Sequence, residues 1–359
     1  MNWLMFPVDK LSRKIRFVAP LAFLLSFAGC SPDIGVIDLK SGKMVHPPHG
    51  DARNIVASID SKAGTFTTLV LEEPDLVMRT YDKSGNSISQ RHIPRFAHTY
   101  SNPSLYALSG DLRLLAYVSD EPVSLNLLDV RSGTSTVLVE KFADSQSEIP
   151  LLVWLNDSTL LAVFRQYHGS TRTVSEIATF DVGTRVKTVL YNPEAPGEDY
   201  ALTPDRTLLA FQDGKGLNDI DGFIKILDLQ KGKLIAQLGS GDELISLPAW
   251  SRDGSELAYV EDKNLNIWNR GKNEARTLVT FPANSVCYQV VMGEGVVGYH
   301  AGWYSGVGEV LEGIMTLWPG GALKILDLNT GRKLRTVHAQ FNGRVLSVDG
   351  QTAVCELGY

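Results

Sequence analysis

Residues 249–271 read AWSRDGSELAYVEDKNLNIWNRG, and two turns divide the stretch. Asp253-Gly254 precedes the apolar run Leu257-Ala258-Tyr259-Val260, and Asn269-Arg270-Gly271 follows a second run that ends at Trp268. Asp and Asn accept turn geometry and glycine supplies positive φ, so each turn marks a β-hairpin. Two hairpins in succession make a four-stranded unit.

The same unit recurs along the chain. The second kind of turn returns as Asp38 to Gly42, Asp82 to Gly85, Asp129 to Gly133, Asp181 to Gly183, Asp228 to Gly232 and Asp327 to Gly331. The first kind returns as Ser109-Gly110-Asp111 before Leu114 to Val118, as Asn156-Asp157 before Leu160 to Phe164, and as Pro204-Asp205 before Leu208 to Phe211. Ala63-Gly64, Glu294-Gly295 and Asp349-Gly350 fill the remaining places. A two-hairpin unit repeating every roughly 40 to 58 residues predicts an all-β fold, a single β-propeller of about seven four-stranded blades. The two ends complement each other: residues 34–45 form an outer-type hairpin with no inner one before it, and residues 345–357 an inner-type hairpin with no outer one after it. Together they predict a composite blade that closes the ring and leaves no unpaired edge. A β-sandwich does not explain the repeated unit, and turns every roughly 8 to 12 residues exclude a helical solenoid.

Ala249-Trp250-Ser251-Arg252-Asp253-Gly254-Ser255-Glu256-Leu257-Ala258-Tyr259 resembles the W-S-P-D-G-x-x-I-A-F element of TolB-type propeller repeats, with weaker copies at the sites above. The resemblance implies the propeller across residues 34–359 and names no function. TolB has a further domain ahead of its propeller for which this chain has no room, so its partners are not implied. The Gly-His and Trp-Asp marks of WD40 blades are missing.

Before the repeats, Lys10, Arg13, Lys14 and Arg16 stand ahead of an apolar run from Phe17 to Gly29 that is shorter than the ~20 residues needed to span a bilayer. Residues 1–29 therefore read as a signal peptide. The run ends in Ser26-Phe27-Ala28-Gly29-Cys30, which resembles the lipobox of bacterial lipoproteins, with Phe27 where that family usually has Leu, Val or Ile. The resemblance implies that Cys30 becomes the lipidated N-terminus, carrying palmitate-type chains, with residues 30–33 as a short tether. Ser31 implies sorting to the outer rather than the inner membrane. Ser26 and Ala28 also fit ordinary secretory cleavage after Ala28. Cys287 and Cys355 remain beyond Cys30, either bridged in an oxidising envelope or unpaired as small apolar residues.

The formal net charge is -6, and no basic cluster follows residue 16, which argues against a nucleic-acid partner. No nucleophile elbow, metalloprotease helix, P-loop or dinucleotide fingerprint is present. No cofactor is expected, and no catalytic residue is assigned. His46-Pro47-Pro48-His49 reads as a solvated extended turn rather than a metal site. Asp219 and Asp221, within Asn218 to Gly222, are weak cation candidates, because the Glu that completes such a loop is absent. Residues 165–176, 212–222 and 300–312 read as long connections between second and third strands, and that topology puts all three on one face. Tyr167, His168, His300, Trp303 and Tyr304 are the candidate interaction surface there. The expected function is a membrane-anchored, non-catalytic envelope lipoprotein, held by the lipid on Cys30, that binds an envelope protein or a glycan. The alternative is a propeller enzyme, such as a polysaccharide lyase or hydrolase, with its site at the central channel.

Overall fold

A computed structural model of the chain describes residues 33–38, 44–45, 53–60, 64–72, 75–82, 84–93, 106–120, 123–139, 148–168, 171–214, 222–283, 285–303, 323–337, 344–349 and 352–357. The regular elements among them are all strands. β1 (Asp33–Asp38) and β2 (Met44–Val45) open the chain. The first sheet is β3 (Arg53–Asp60), β4 (Thr65–Glu72), β5 (Asp75–Asp82) and β6 (Ser87–Ile93). The second is β7 (Tyr106–Leu108), β8 (Leu114–Asp120), β9 (Val123–Asp129) and β10 (Ser135–Val139). The third is β11 (Glu148–Asn156), β12 (Thr159–His168), β13 (Thr171–Asp181) and β14 (Lys187–Tyr191). The fourth is β15 (Pro196–Leu202), β16 (Leu208–Gly214), β17 (Gly222–Asp228) and β18 (Lys233–Leu238). The fifth is β19 (Ile245–Trp250), β20 (Glu256–Glu261), β21 (Asn264–Asn269) and β22 (Glu274–Thr280). The sixth is β23 (Ser285–Gly293), β24 (Val296–Trp303), β25 (Leu323–Asp327) and β26 (Lys333–Val337). β27 (Arg344–Asp349) and β28 (Thr352–Leu357) complete the chain.

All strand pairs are antiparallel, and the first strand of each sheet contacts the first strand of a neighbour at β3–β7, β7–β11, β15–β19 and β19–β23. This is a single β-propeller with four-stranded antiparallel blades. Six blades are contiguous in sequence; a further four-stranded antiparallel sheet draws its strands from both ends of the chain, in the order β2-β1-β28-β27, with Val36 opposite Val354 and Asp38 opposite Thr352. The contiguous blades thus number six rather than the about seven expected, because the strands at the two chain ends pair with each other in a sheet of their own. Its inner strand β27 contacts β23 and β3.

The turn between third and fourth strands explains the recurring Asp. Asp129 Oδ1 accepts from the backbone N–H of Arg131 and Ser132, Asp228 Oδ1 from Gln230 and Lys231, and Asp327 Oδ1 from Asn329 and Thr330. Asn269 does the same for Lys272 at 3.0 Å. Positive φ falls four residues after that Asp or Asn, at Gly133, Gly232 and Gly331, but also at Arg185 and Asn273. The glycines expected to supply it in the third and fifth sheets, Gly183 and Gly271, do not. Hydrogen bonding by the Asx side chain holds the turn there without glycine's freedom.

Second and third strands are covered on both faces, so they read as continuous apolar runs. Leu208, Leu209, Ala210 and Phe211 are all buried, as are Leu160, Leu161, Ala162 and Val163. Fourth strands face outward and carry exposed Ile88, Val189 and Ile235. Neighbouring sheets pack into shared cores, for example Leu161 and Ile177 with Leu209, Phe211 and Leu227. Two indoles tie inner strands across sheets: Trp154 Nε1 donates to Ala107 O at 2.9 Å and Trp250 Nε1 to Ala201 O at 3.1 Å.

Asp82, Asp129, Asp181, Asp228 and Asp327 are all held below the ordinary Asp value by their turns, Asp181 first through the Thr184 N–H. A depressed folded pKa stabilises above the unfolded value of about 4, and that stability is lost as pH falls through the folded value. In thermal unfolding, the wild-type midpoint is expected to fall on acidification below that range. Asp181→Asn, which retains the acceptor as Asn269 does, should keep most of the neutral-pH midpoint and respond less to acid; Asp181→Ala should lower the midpoint at neutral pH. Equal losses for Asn and Ala would refute the turn's role.

Candidate functional site

In every contiguous blade the two hairpin turns lie at one end of the strands and the passage from second to third strand at the other. The latter end is the crossover face. A polar residue recurs at one register position on the third strand, buried as Asn126, Lys225 and Asn266 and half-buried as Lys324. There Asn126 lies opposite Tyr117, Lys225 opposite Phe211, Asn266 opposite Tyr259 and Lys324 opposite Tyr299.

Each of these groups is held within its own blade. Asn126 Nδ2 donates to Ser119 Oγ and Ser124 Oγ, both at 3.0 Å. Asn266 Oδ1 accepts from Thr277 Oγ1 at 2.8 Å, and Lys324 Nζ sits 5.5 Å from the centroid of the Tyr299 ring. Lys225 Nζ donates to Asp213 Oδ2 at 2.7 Å, while Asp213 Oδ1 accepts from the Ala195 N–H at 2.7 Å. Burial pulls the Lys225 ammonium down, but the Asp213 carboxylate and the nearby Tyr191 and Glu194 outweigh it, so its pKa lies above the ordinary Lys value. Buried Arg165 donates from Nη2 to the Tyr200 hydroxyl, which donates to Gly197 O, joining the third and fourth blades.

The candidate residues from the sequence divide. His300 is not in a connection: it lies in β24, paired with Leu323 of β25, and is 1% exposed. It therefore leaves the exposed surface; the antiparallel register carries β24 into the segment 300–312 that the sequence reads as a connection. Trp303 is the last residue of β24, and Tyr304 lies outside the described residues. Tyr167 and His168 end β12 rather than sitting in a connection, because residues 165–168 and 171–176 are strand. Gln212 to Gly214 likewise belong to β16. Cys30, Asp219 and Asp221 lie outside the described residues. Cys287 carries a free thiol that burial pushes up to about 12, which makes it a poor nucleophile. Among the described residues no three His, Cys, Asp or Glu side chains converge as metal ligands.

The third blade departs from the others. β12 and β13 pair as far as His168 opposite Thr171, but β11 reaches only Arg165, through Glu148, and β14 only Ile177, through Tyr191. Among the described residues, the β12–β13 pair thus runs past the rest of its sheet at the crossover face as a two-stranded ribbon. Sequence reading marked Tyr167 and His168 but took the segment for a loop. It did not mark Asp213–Lys225 or Arg165–Tyr200, because only strand pairing and blade packing bring those residues together.

No protein-family model matches the chain, and no curated protein matches it. Solved structures do. An oligogalacturonate lyase in complex with manganese aligns over 91% of this chain and 97% of that one, at 14% identity and a TM-score of 0.59. An oligogalacturonate lyase from Vibrio parahaemolyticus covers 89% of each chain at 13% identity and a TM-score of 0.58. The shared feature is the propeller. TolB from Acinetobacter baumannii also aligns, over 75% of this chain and 62% of that one, at 16% identity and a TM-score of 0.42.

Removing one member of the buried ion pair strands the other. Lys225→Met is expected to cost about 3 kcal/mol in urea unfolding by leaving the Asp213 carboxylate unpaired, and adding Asp213→Asn should recover part of that loss. A single-variant loss within experimental error would show that the pair is not needed.

Proposed function

We propose that this chain is an envelope-anchored binding propeller that seats a protein partner on its crossover face. The observation that carries this reading is the β12–β13 ribbon, which extends beyond its sheet at that face with Tyr167 and His168 at its end. The buried polar groups of the blades are already engaged, Asn126, Lys225 and Asn266 within their own blades and Arg165 with Tyr200 of the next, which leaves recognition to the ribbon. On this reading the sheet built from both chain ends closes the ring beside the six contiguous blades, with the pairing of β1 to β28 as its latch.

The anchor is the lipid on Cys30. β1 starts at Asp33, which pairs with Leu357 at the crossover end of β28. Ser31 and Pro32 intervene, so the lipid attaches within roughly 10 Å of that end at ~3.3 Å per residue. The crossover face then lies beside the outer membrane, where an envelope partner would meet it. In cells, Cys30→Ala should move the protein from the membrane to the soluble fraction. A photo-crosslinking side chain at position 167 should give one discrete adduct, and one at position 184, in the opposite turns, should give none. Adducts from both positions or from neither would count against the reading.

A second reading is favoured by one finding: the two lyases match nearly the whole length of the chain. On it, the propeller would cleave an acidic oligosaccharide. Incubating the full chain with oligogalacturonate, with and without manganese, separates the two; the binding reading expects no unsaturated product, and metal-dependent turnover would replace it.

A further inference from the structure

A two-stranded ribbon is marginally stable in water by itself, so the overhang of β12 and β13 has to be held at its foot. The residues there are Phe164 and Arg165 of β12, opposite Glu176 and Ser175 of β13. Residues opposite each other share a face of the sheet, so the foot has two sides. On one, Glu176 is bonded to Lys187 Nζ, which stands 5.0 Å from the centroid of the Phe164 ring; this hold is internal to the third blade. On the other, Arg165 and Ser175 are 3% and 6% exposed, and Arg165 Nη2 donates at 3.2 Å to the hydroxyl of Tyr200 in the fourth blade. That hydroxyl has one proton, which goes to Gly197 O at 2.8 Å, so its oxygen is turned to accept from Arg165.

Tyr200 closes a bulge in β15. Pro196 pairs with Asp213 and Tyr200 with Phe211, which leaves Gly197, Glu198 and Asp199 opposite Gln212 alone. Asp199 binds the blade on the other side: its Oδ2 accepts at 3.0 Å from the N–H of Leu247 in β19 of the fifth blade. Leu247 lies in a bulge of its own, between Ser246 and Ala249, at φ 57°, a left-handed conformation that is costly for leucine and more so ahead of Pro248. The Asp199 carboxylate holds it there. We propose that residues 197–200 are a bracket that sets the aim of the ribbon, fastened to the fifth blade through Asp199 and to the ribbon's foot through Tyr200, and that the bracket thereby regulates docking at Tyr167 and His168. The proposal rests on the binding reading and deepens it. A ribbon already held in one direction meets its partner without being ordered on contact, and binding is tighter by the ordering cost that is avoided. Tyr200 and Asp199 act through the ribbon, so both are positioning residues.

Amide hydrogen exchange on the full-length chain in detergent reads the bracket, with residues 166–168 and 171–174 as the ribbon signal and residues 160–163, nearer the turns on the same strand, as the reference. Tyr200→Phe keeps the ring and removes the hydroxyl; it should speed exchange in the ribbon roughly fivefold and leave the reference unchanged. Arg165→Met should do the same, and combining the two should add little, because both break one relay. Asp199→Ala should also loosen the ribbon, whereas Asp199→Asn, which keeps an acceptor for the Leu247 N–H, should stay near wild type. Unchanged ribbon exchange in Tyr200→Phe, equal acceleration at residues 160–163, additive effects, or equal behaviour of Ala and Asn at position 199 would overturn the proposal. In cells, the adduct at position 167 should fall in step with faster ribbon exchange in Tyr200→Phe and Asp199→Ala. An undiminished adduct in those variants would overturn the regulation and leave the binding reading standing. Absence of any wild-type adduct at position 167 would remove the binding reading and the regulation with it, while exchange still decides the bracket.

Discussion

The structure depends on face-to-face packing between neighbouring blades. A four-stranded antiparallel sheet has two faces, and in this molecule both are apolar along the second and third strands. Leu208, Leu209, Ala210, Ile226 and Leu227 are 1% exposed or less, and alternate members of that set point to opposite sides of one sheet. A fully buried Leu or Ile contributes about 2 kcal/mol only if something covers it, so no blade can stand alone. Each needs a neighbour on both sides, and that requirement makes an array of blades rather than a set of independent hairpins.

Polar groups enter this packing only on terms set by the blades. Lys225 is tolerated in the interior because Asp213 faces it and Asp213's second oxygen takes the Ala195 N–H. Asn126 is tolerated because Ser119 and Ser124 surround its amide. These groups repeat at one register position because the strands repeat, and their neighbours on the same blades satisfy them. Such residues specify how blades are assembled, and their burial is not by itself a sign of chemistry. The functional reading therefore falls on the part of the molecule that departs from the repeat, the ribbon of β12 and β13.

That departure also shows where sequence reading stops. Tyr167 and His168 were legible as part of the long stretch joining second and third strands, but whether that stretch was loop or strand was not: Gly169 and Ser170 would suit either. The decision comes from pairing across residues 165–176, which no local pattern encodes. His300 is the converse case. Its place after the second strand's apolar run reads as a connection, yet β25 pairs with it and the core closes over it.

By itself, the chain's order of residues determined the four-stranded unit, its repetition, the turn chemistry at Asp129, Asp228 and Asp327, and the half-units at the two ends, because turn residues and alternation are local properties of a few consecutive positions. Only the tertiary structure decided which polar residues became mutual partners, which candidates were buried, and how far the β12–β13 pairing runs. Those outcomes depend on contacts between residues far apart in the chain, such as Asp33 with Leu357 or Arg165 with Tyr200, and distance along the sequence carries no record of them.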